Sequence, residues 1–213
     1  MESIRKIMSK RNSGIFLRVI PGHFATSNSH INYYIDMSLM KSRQSEASAI
    51  ARAISGQYCY TTVVDTIVCL DGCDVIGAYL ANELTNAGIV SMNAHQTIYI
   101  TPPEFSSSGQ LLFRENLLPM INGKHILLLL ASATTGKTIA EAIDAIRYYR
   151  GVVVGVSAIF SAASEVYGLP INALFTTEDL PDYKTYSTCG CKLCDEGIQL
   201  DALVNGFGYA RLK

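Results

Sequence analysis

The sequence lacks a charge excess of either sign and has no long hydrophobic run. Its 17 Lys and Arg residues are matched by 18 Asp and Glu residues, and the formal net charge is −1 at pH 7. This balance argues against a broad basic surface for nucleic acid or for an anionic membrane. No apolar run approaches the roughly 20 residues of a membrane-spanning helix, and the N-terminal MESIRKIMSKRNSGIF has no signal-peptide core. We therefore expect a cytoplasmic protein that binds neither nucleic acid nor membranes.

Disulfides are rare in the cytoplasm, so the six cysteines are expected to be free thiols or metal ligands. The segment TCGCKLCDEG (188–197) places Cys189, Cys191 and Cys194 in a C-x-C-x₂-C array. Thiolates at this spacing can converge on one structural Zn²⁺, which prefers a closed tetrahedral site. The fourth ligand is open: the candidates are Asp195, Cys73, Cys69, a histidine, or a thiol of a second subunit. A surface loop with free, redox-sensitive thiols is the competing interpretation.

The composition, with 49% hydrophobic and 16% charged residues over 213 residues, is that of one compact globular domain. Short apolar runs alternate with amphipathic segments in the middle of the chain, which is typical of a parallel sheet covered by helices. The predicted strands are 66–70, 97–101, 125–131, 151–160 and 171–176. The predicted helices of this core are 74–88, ending at a glycine C-cap, and a segment whose apolar stripe runs from Ile139 to Tyr149.

The chain divides into three predicted parts that together form one domain. Residues 1–60 are an added N-terminal layer with a helix at 2–10, one or two strands at 15–36 and a helix around Ala47–Ile54. Residues 61–180 are the core, interrupted by a long excursion from Pro102 to Gly123 with a flexible Ser-Ser-Ser-Gly loop and a short ordered return. Residues 181–213 hold the cysteine array and a last strand or hairpin.

The segment ASATTGKT (131–138) joins a predicted strand to a predicted helix and indicates a phosphate site. It nearly fits the G-x-x-x-x-G-K-[ST] loop of nucleotide triphosphatases, but Ala131 replaces the first glycine, whose conformational freedom that loop requires. Backbone N–H groups and hydroxyls at a helix N-terminus nevertheless form an anion site suited to a 5′-phosphate. A plain strand-to-helix turn rich in threonine is the structural alternative.

Three stretches of the sequence resemble motifs of the type I phosphoribosyltransferases, and of orotate phosphoribosyltransferases in particular. They occur along the chain in the order that the family has. SATTGKT (132–138) matches the family's phosphate loop at Thr134, Thr135, Gly136 and Thr138. GHFATSNSHINYYID (22–36) resembles the N-terminal motif, and CLDGCDVIGAYLA (69–81) falls at the Gly-rich turn that meets pyrophosphate. The resemblance covers roughly residues 15–178.

The resemblance implies an α/β fold with a mainly parallel central sheet flanked by helices, an N-terminal hood and a Cys-rich C-terminal loop. It also implies a homodimer that transfers ribose 5-phosphate from phosphoribosyl diphosphate (PRPP) to a nucleobase, with Mg²⁺ bridging the diphosphate. By this resemblance Asp71, Gly72 and Arg114 meet the pyrophosphate. The 5′-phosphate is held by Ser132, Ala133, Thr134, Thr135, Gly136, Lys137 and Thr138.

The sequence departs from the family where the sugar is activated. The family's two acidic residues before the phosphate loop are Leu130 and Ala131 here, and neither can offset positive charge on the ribosyl centre. The long excursion is poor in basic residues, and SAASEVYG (161–168) has no arginine for an orotate carboxylate. A non-catalytic sensor or regulator that binds PRPP or a nucleotide is therefore the alternative function.

Overall fold

The computed structural model describes residues 3–10, 14–94, 96–106 and 110–212. Most of the predicted Ser-Ser-Ser-Gly loop, residues 107–109, lies outside the described residues. The strands are β1 (Arg5–Met8), β2 (Phe16–Ala25), β3 (His30–Asp36), β4 (Thr66–Cys69), β5 (Tyr99–Thr101), β6 (Glu104–Phe105), β7 (Leu111–Leu112), β8 (His125–Ala133), β9 (Val152–Ser161), β10 (Glu165–Val166), β11 (Leu169–Thr176), β12 (Thr185–Tyr186), β13 (Ala202–Asn205) and β14 (Gly208–Arg211). The helices are α1 (Ser38–Ser42), α2 (Gln44–Ser55), α3 (Asp74–Thr85), α4 (Lys137–Tyr148), α5 (Lys192–Asp195) and a 3₁₀ helix (Glu115–Met120). Among the described residues, no helix combines the length and apolar character that crossing a membrane requires.

The chain forms two compact units, Met40–Leu174 and the combination of Met1–Leu39 with Phe175–Lys213. The first is built around a sheet with the strand order β10-β11-β9-β8-β4-β5. Within it β4 is parallel to β5 and to β8, and β8 is parallel to β9, which confirms the predicted parallel core.

The sheet is covered on both faces, as its continuous apolar strands require. Ile126, Leu128 and Leu130 of β8 are fully buried in one cluster with the stripe of α4, namely Ile139, Ala142, Ile143 and Ile146. On α3, a Cβ added to Gly77 would lie 2.5 Å from Cys69 Sγ of β4, so that helix packs closely against the sheet.

The other unit contains a second sheet with the order β12-β3-β2-β13-β14, to which β1 adds along β2. The helix predicted for residues 2–10 is wrong, because residues 5–8 form β1. Arg5 to Met8 pair antiparallel with Val19 to Phe16, and this non-local pairing outweighs the local preference of the segment. The predicted terminal hairpin is confirmed by the antiparallel pair β13 and β14.

The remaining differences concern ends and connections. Helix α3 ends at Thr85 with Asn86 as its C-cap, so the predicted end at Gly88 is two residues late. The long excursion after β5 contains the short antiparallel pair β6–β7 and the 3₁₀ helix, which together give it more order than a simple loop.

Candidate functional site

The turn between β8 and α4 exposes the N-terminus of a well-formed helix. β8 ends at Ala133 and α4 begins at Lys137. The Ala140 N–H donates to the Gly136 carbonyl at 2.9 Å, closing the first helical turn. The first N–H groups of a helix have no acceptor inside it and carry a partial positive charge. With Thr135 exposed beside them, these groups form the geometry in which helix N-termini bind phosphate.

Gly136 sets the direction in which the chain enters α4. It is the N-cap residue, with φ 75° and ψ −1°, a left-handed conformation that side chains disfavour. A Cβ at this position would also lie 2.6 Å from Val166 Cγ2. Two independent constraints therefore require glycine at this point of the turn.

The strand before the turn supplies no carboxylate. The β8 sequence HILLLLASA has no acidic residue. Leu130 is fully buried in the core, and Ala131 is only 5% exposed. Ser132 is exposed at the strand end but carries no charge. Leu130 and Ala131 thus serve packing in this chain.

A carboxylate reaches the same sheet edge from the neighbouring strand β4. Asp71 and Gly72 follow β4 with positive φ values of 54° and 72°, which fold the chain sharply at the strand end. The backbone N–H groups of Ser132 and Ala131 lie close to the Asp71 carboxyl. Burial raises the pKa of the Asp71 carboxyl, while Lys41 and these two N–H groups oppose the rise. The Lys41 Nζ also donates to the Asp71 carbonyl at 2.7 Å.

Arg114 of the long excursion is held by an ion pair. Its Nε and Nη2 donate to the two carboxylate oxygens of Glu104, each at 2.6 Å. Both side chains are exposed, 65% for Arg114 and 49% for Glu104. A ligand phosphate would therefore compete with Glu104 for this guanidinium.

A separate cluster of metal-ligating side chains lies in the unit that contains both chain termini. His23 on β2, His30 at the start of β3, Cys191 before α5 and Cys194 within α5 place their ligand atoms within 4.8 Å of one another. The His23 Nδ1 lies 2.8 Å from the Ile198 carbonyl. A carbonyl only accepts, so Nδ1 carries the proton and Nε2 presents its lone pair to the cluster. This group of four could hold a metal ion.

The cluster differs from the predicted cysteine array. Cys191 and Cys194 are in it, whereas Cys189 is exposed and its Sγ lies 4.0 Å from Thr188 Oγ1. Two histidines complete the group, whereas the sequence analysis allows one histidine, not specified, as a candidate fourth ligand. The pattern H-x₆-H at 23–30, read together with C-x₂-C at 191–194, is the signal that could have identified them.

Comparison with known proteins identifies the fold. No family model matches the sequence, and no curated protein matches it. Among solved structures, orotate phosphoribosyltransferase of Mycobacterium tuberculosis H37Rv has 18% identity and a TM-score of 0.53, over 77% of this chain and 92% of that one. Orotate phosphoribosyltransferase of Aeropyrum pernix has 17% identity and a TM-score of 0.50, over 76% and 92%.

An adenine phosphoribosyltransferase of Leishmania donovani has 14% identity and a TM-score of 0.50, over 74% of this chain and 77% of that one. These structural similarities lead to one conclusion: the chain has the type I phosphoribosyltransferase fold.

Proposed function

We propose that the protein is a phosphoribosyltransferase-like protein of nucleotide metabolism that binds PRPP or a nucleotide through residues 132–138. The observation that carries the proposal is the glycine-capped N-terminus of α4, exposed at the end of β8 in a phosphoribosyltransferase fold. The orotate phosphoribosyltransferase of M. tuberculosis has been solved in complex with PRPP, with 17% identity and a TM-score of 0.50 to this chain. We also propose that the protein is cytoplasmic and that it forms a homodimer, of which the homodimer is what the family resemblance implies.

The proposed roles follow the chemistry of the ligand. Amides and hydroxyls of residues 132–138 hold the 5′-phosphate, and Lys137 adds a positive charge. The Asp71–Gly72 turn faces the diphosphate end. In the transferase form of the proposal, Mg²⁺ bound with the diphosphate would offset its negative charge there. Arg114 contacts the diphosphate once a phosphate group replaces Glu104 as its ion-pair partner.

In the transferase form, a deprotonated nucleobase nitrogen bonds to the ribose C1 as the C1–O bond breaks and pyrophosphate leaves. Positive charge develops on the sugar in this step, and a positioned carboxylate lowers its energy. Asp71 is our candidate for that carboxylate, because it reaches the end of β8 where Leu130 and Ala131 supply none. In this form of the proposal its role is electrostatic.

A second candidate function, a non-catalytic sensor of PRPP or a nucleotide, is favoured by the burial of Leu130 and Ala131. Leu130 is 0% exposed, and a residue committed to the core cannot contact a ribose hydroxyl. The raised pKa of the Asp71 carboxyl, caused mainly by burial, also disfavours the charge that catalysis needs.

Calorimetric titration with PRPP and with ribose 5-phosphate tests the phosphate site. Hydrogen bonds to charged groups contribute about 1.5–3 kcal/mol, so Thr135→Ala and Thr138→Ala should each weaken binding by roughly ten- to a hundredfold. Thr61→Ala is the matched control, since its hydroxyl bonds the Gln57 carbonyl far along the sequence from the turn. Wild-type protein that binds neither compound would refute the proposal.

Pyrophosphate release with Mg²⁺ and a panel of nucleobases separates the two functions. Release of pyrophosphate with any base supports the transferase, provided that Asp71→Asn abolishes the release and still binds PRPP. Binding of PRPP without release for every base supports the sensor.

A further inference from the structure

We propose that His23, His30, Cys191 and Cys194 bind Zn²⁺ as a closed structural site, independently of the function proposed above. A tetrahedral zinc site has Zn–S bonds of about 2.3 Å and Zn–N bonds of about 2.0–2.1 Å. These bonds require separations of about 3.3 Å between two nitrogens and about 3.6 Å between nitrogen and sulfur. The site can therefore be tested by distances between the ligand atoms alone.

The observed distances agree with that geometry. His23 Nε2 and His30 Nδ1 are 3.2 Å apart. The nitrogen–sulfur distances are 3.4 Å from His23 Nε2 to Cys191, 3.7 Å from His23 Nε2 to Cys194 and 3.4 Å from His30 Nδ1 to Cys194. These four of the six ligand-atom pairs lie within about 0.2 Å of the tetrahedral values, and all six pairs lie within 4.8 Å.

A hydrogen-bond network does not account for the same arrangement. His23 Nδ1 donates its proton to Ile198, so Nε2 has one lone pair and no proton. Three groups approach that lone pair together: His30 Nδ1, Cys191 Sγ and Cys194 Sγ. One lone pair cannot serve three donors at full strength, whereas one cation at their centre satisfies all of them.

The donor set identifies the metal class and its role. Two imidazole nitrogens and two thiolates suit Zn²⁺ and disfavour Mg²⁺ or Ca²⁺, which take oxygen ligands. Four protein donors leave no open position for a reacting water, which is typical of a structural site. His23 and Cys191 are each only 1% exposed.

The surrounding contacts support the site as metal sites usually require. The Ile198 carbonyl orients the His23 ring, and the Asp201 carboxylate accepts the His23 backbone N–H at 2.8 Å. The metal would thereby join the β2–β3 hairpin to the segment from Cys191 to Asp201. Its function is to fix the C-terminal segment of this unit.

Zinc content of protein purified without chelator tests the proposal, and Cys189 supplies the matched control. Wild type and Cys189→Ser should each contain close to one zinc per chain, while Cys191→Ser and Cys194→Ser should lose most of it. Negligible zinc in wild type, another metal in its place, or equal loss in Cys189→Ser would overturn the assignment.

Two further measurements keep the test independent of folding failure. Chelator-stripped wild type titrated with Co²⁺ should develop the intense visible bands of a tetrahedral thiolate site, and weak octahedral-type bands would count against it. His30→Cys, which keeps a donor, should retain zinc, whereas His30→Ala should not. Equal loss in both would show that the position matters for packing and not for coordination.

Discussion

At Gly136 a left-handed backbone and a neighbouring side chain both act against a larger residue. We expect Gly136→Ala to lower the free energy of unfolding by at least about 1–2 kcal/mol, the cost of a left-handed conformation for a residue with a Cβ. The 2.6 Å approach to Val166 Cγ2 adds to this cost. Urea unfolding measures the loss, and titration with ribose 5-phosphate should show weaker binding because the helix N-terminus shifts.

Gly56→Ala is the control for that substitution. Gly56 has φ −56°, and an added Cβ would meet nothing within 4 Å. We expect it to leave binding unchanged and to stabilise the protein by up to about 1 kcal/mol through the unfolded state. Equal effects of the two substitutions would refute the special role of Gly136.

The charge of Asp71 makes stability depend on pH with a definite sign. Burial raises the pKa of this carboxyl in the folded protein, so the unfolded chain loses its proton first. Stability should therefore fall as the pH rises from about 4 to the raised pKa, and stay level above it. Asp71→Asn should remove this fall, which urea unfolding at a series of pH values would show.

Asp65 provides a control, because its pKa is shifted in the opposite direction. Its burial acts to raise the pKa, but hydrogen bonds from the backbone and ring of His125 outweigh burial, and the pKa is lowered. Its contribution to stability should be lost as the pH falls through the folded pKa, and Asp65→Asn should abolish that loss. If both variants shift the pH profile in the same direction, the environment assigned to Asp71 is wrong.

At the scale of elements, the ion pair between Glu104 on β6 and Arg114 before the 3₁₀ helix restrains the only arginine of the 102–123 excursion. Exposed pairs of this kind contribute little to stability. We expect Glu104→Gln to leave thermal unfolding nearly unchanged and to raise PRPP affinity several-fold, because Arg114 becomes available to phosphate. Arg114→Gln should lower the affinity.

The pair between Arg52 and Glu83, 3.6 Å apart, is the control for this experiment. Glu83→Gln removes an equivalent carboxylate from a helix and should not alter PRPP affinity. No change in affinity in either Glu104→Gln or Arg114→Gln would remove Arg114 from the proposed site.

Sequence patterns predict the helices and strands whose burial shows in the spacing of neighbouring apolar residues. β8 is a continuous apolar run covered on both faces, and α4 carries its apolar residues at helical spacing, so both follow from the sequence. β1 does not, because its conformation depends on pairing with β2. The turn at 132–138, which we propose binds phosphate, is predicted from its glycine and threonines. Asp71 comes near it only through the adjacency of β4 and β8.

The metal cluster also depends on contacts between residues that are far apart in the sequence. The spacing of Cys189, Cys191 and Cys194 is local and predicts a metal site, although the cluster includes only Cys191 and Cys194. His23 and His30 come together because β2 and β3 pair antiparallel, with Ala25 opposite His30. The H-x₆-H spacing marks the two histidines as candidate ligands, but it does not show that their hairpin lies beside Cys194. Cys194 and His30 are in contact although 164 positions separate them in the sequence.

For the whole molecule, each candidate site draws its residues from one compact unit. The turn at 132–138, Asp71 and Arg114 belong to Met40–Leu174, while the four metal-ligating residues belong to the unit that contains both termini. Ligand binding and metal binding should therefore be separable by mutation. Cys191→Ser protein that remains folded should bind PRPP with wild-type affinity.

Metal removal tests this separation by hydrogen exchange. A ligand at about 100 to 1,000 times its Kd stabilises by roughly 3–4 kcal/mol, so stripping the metal should lower Tm by roughly 6–16 °C. Amides of β2, β3 and residues 191–201 should exchange faster because the cross-link between them is gone, while amides of β4 and β8 keep their protection. Chelator should have no such effect on Cys191→Ser and its full effect on Cys189→Ser. Faster exchange throughout β4 and β8 would mean that the metal supports the parallel sheet as well, and the assignment of a local structural role would fail.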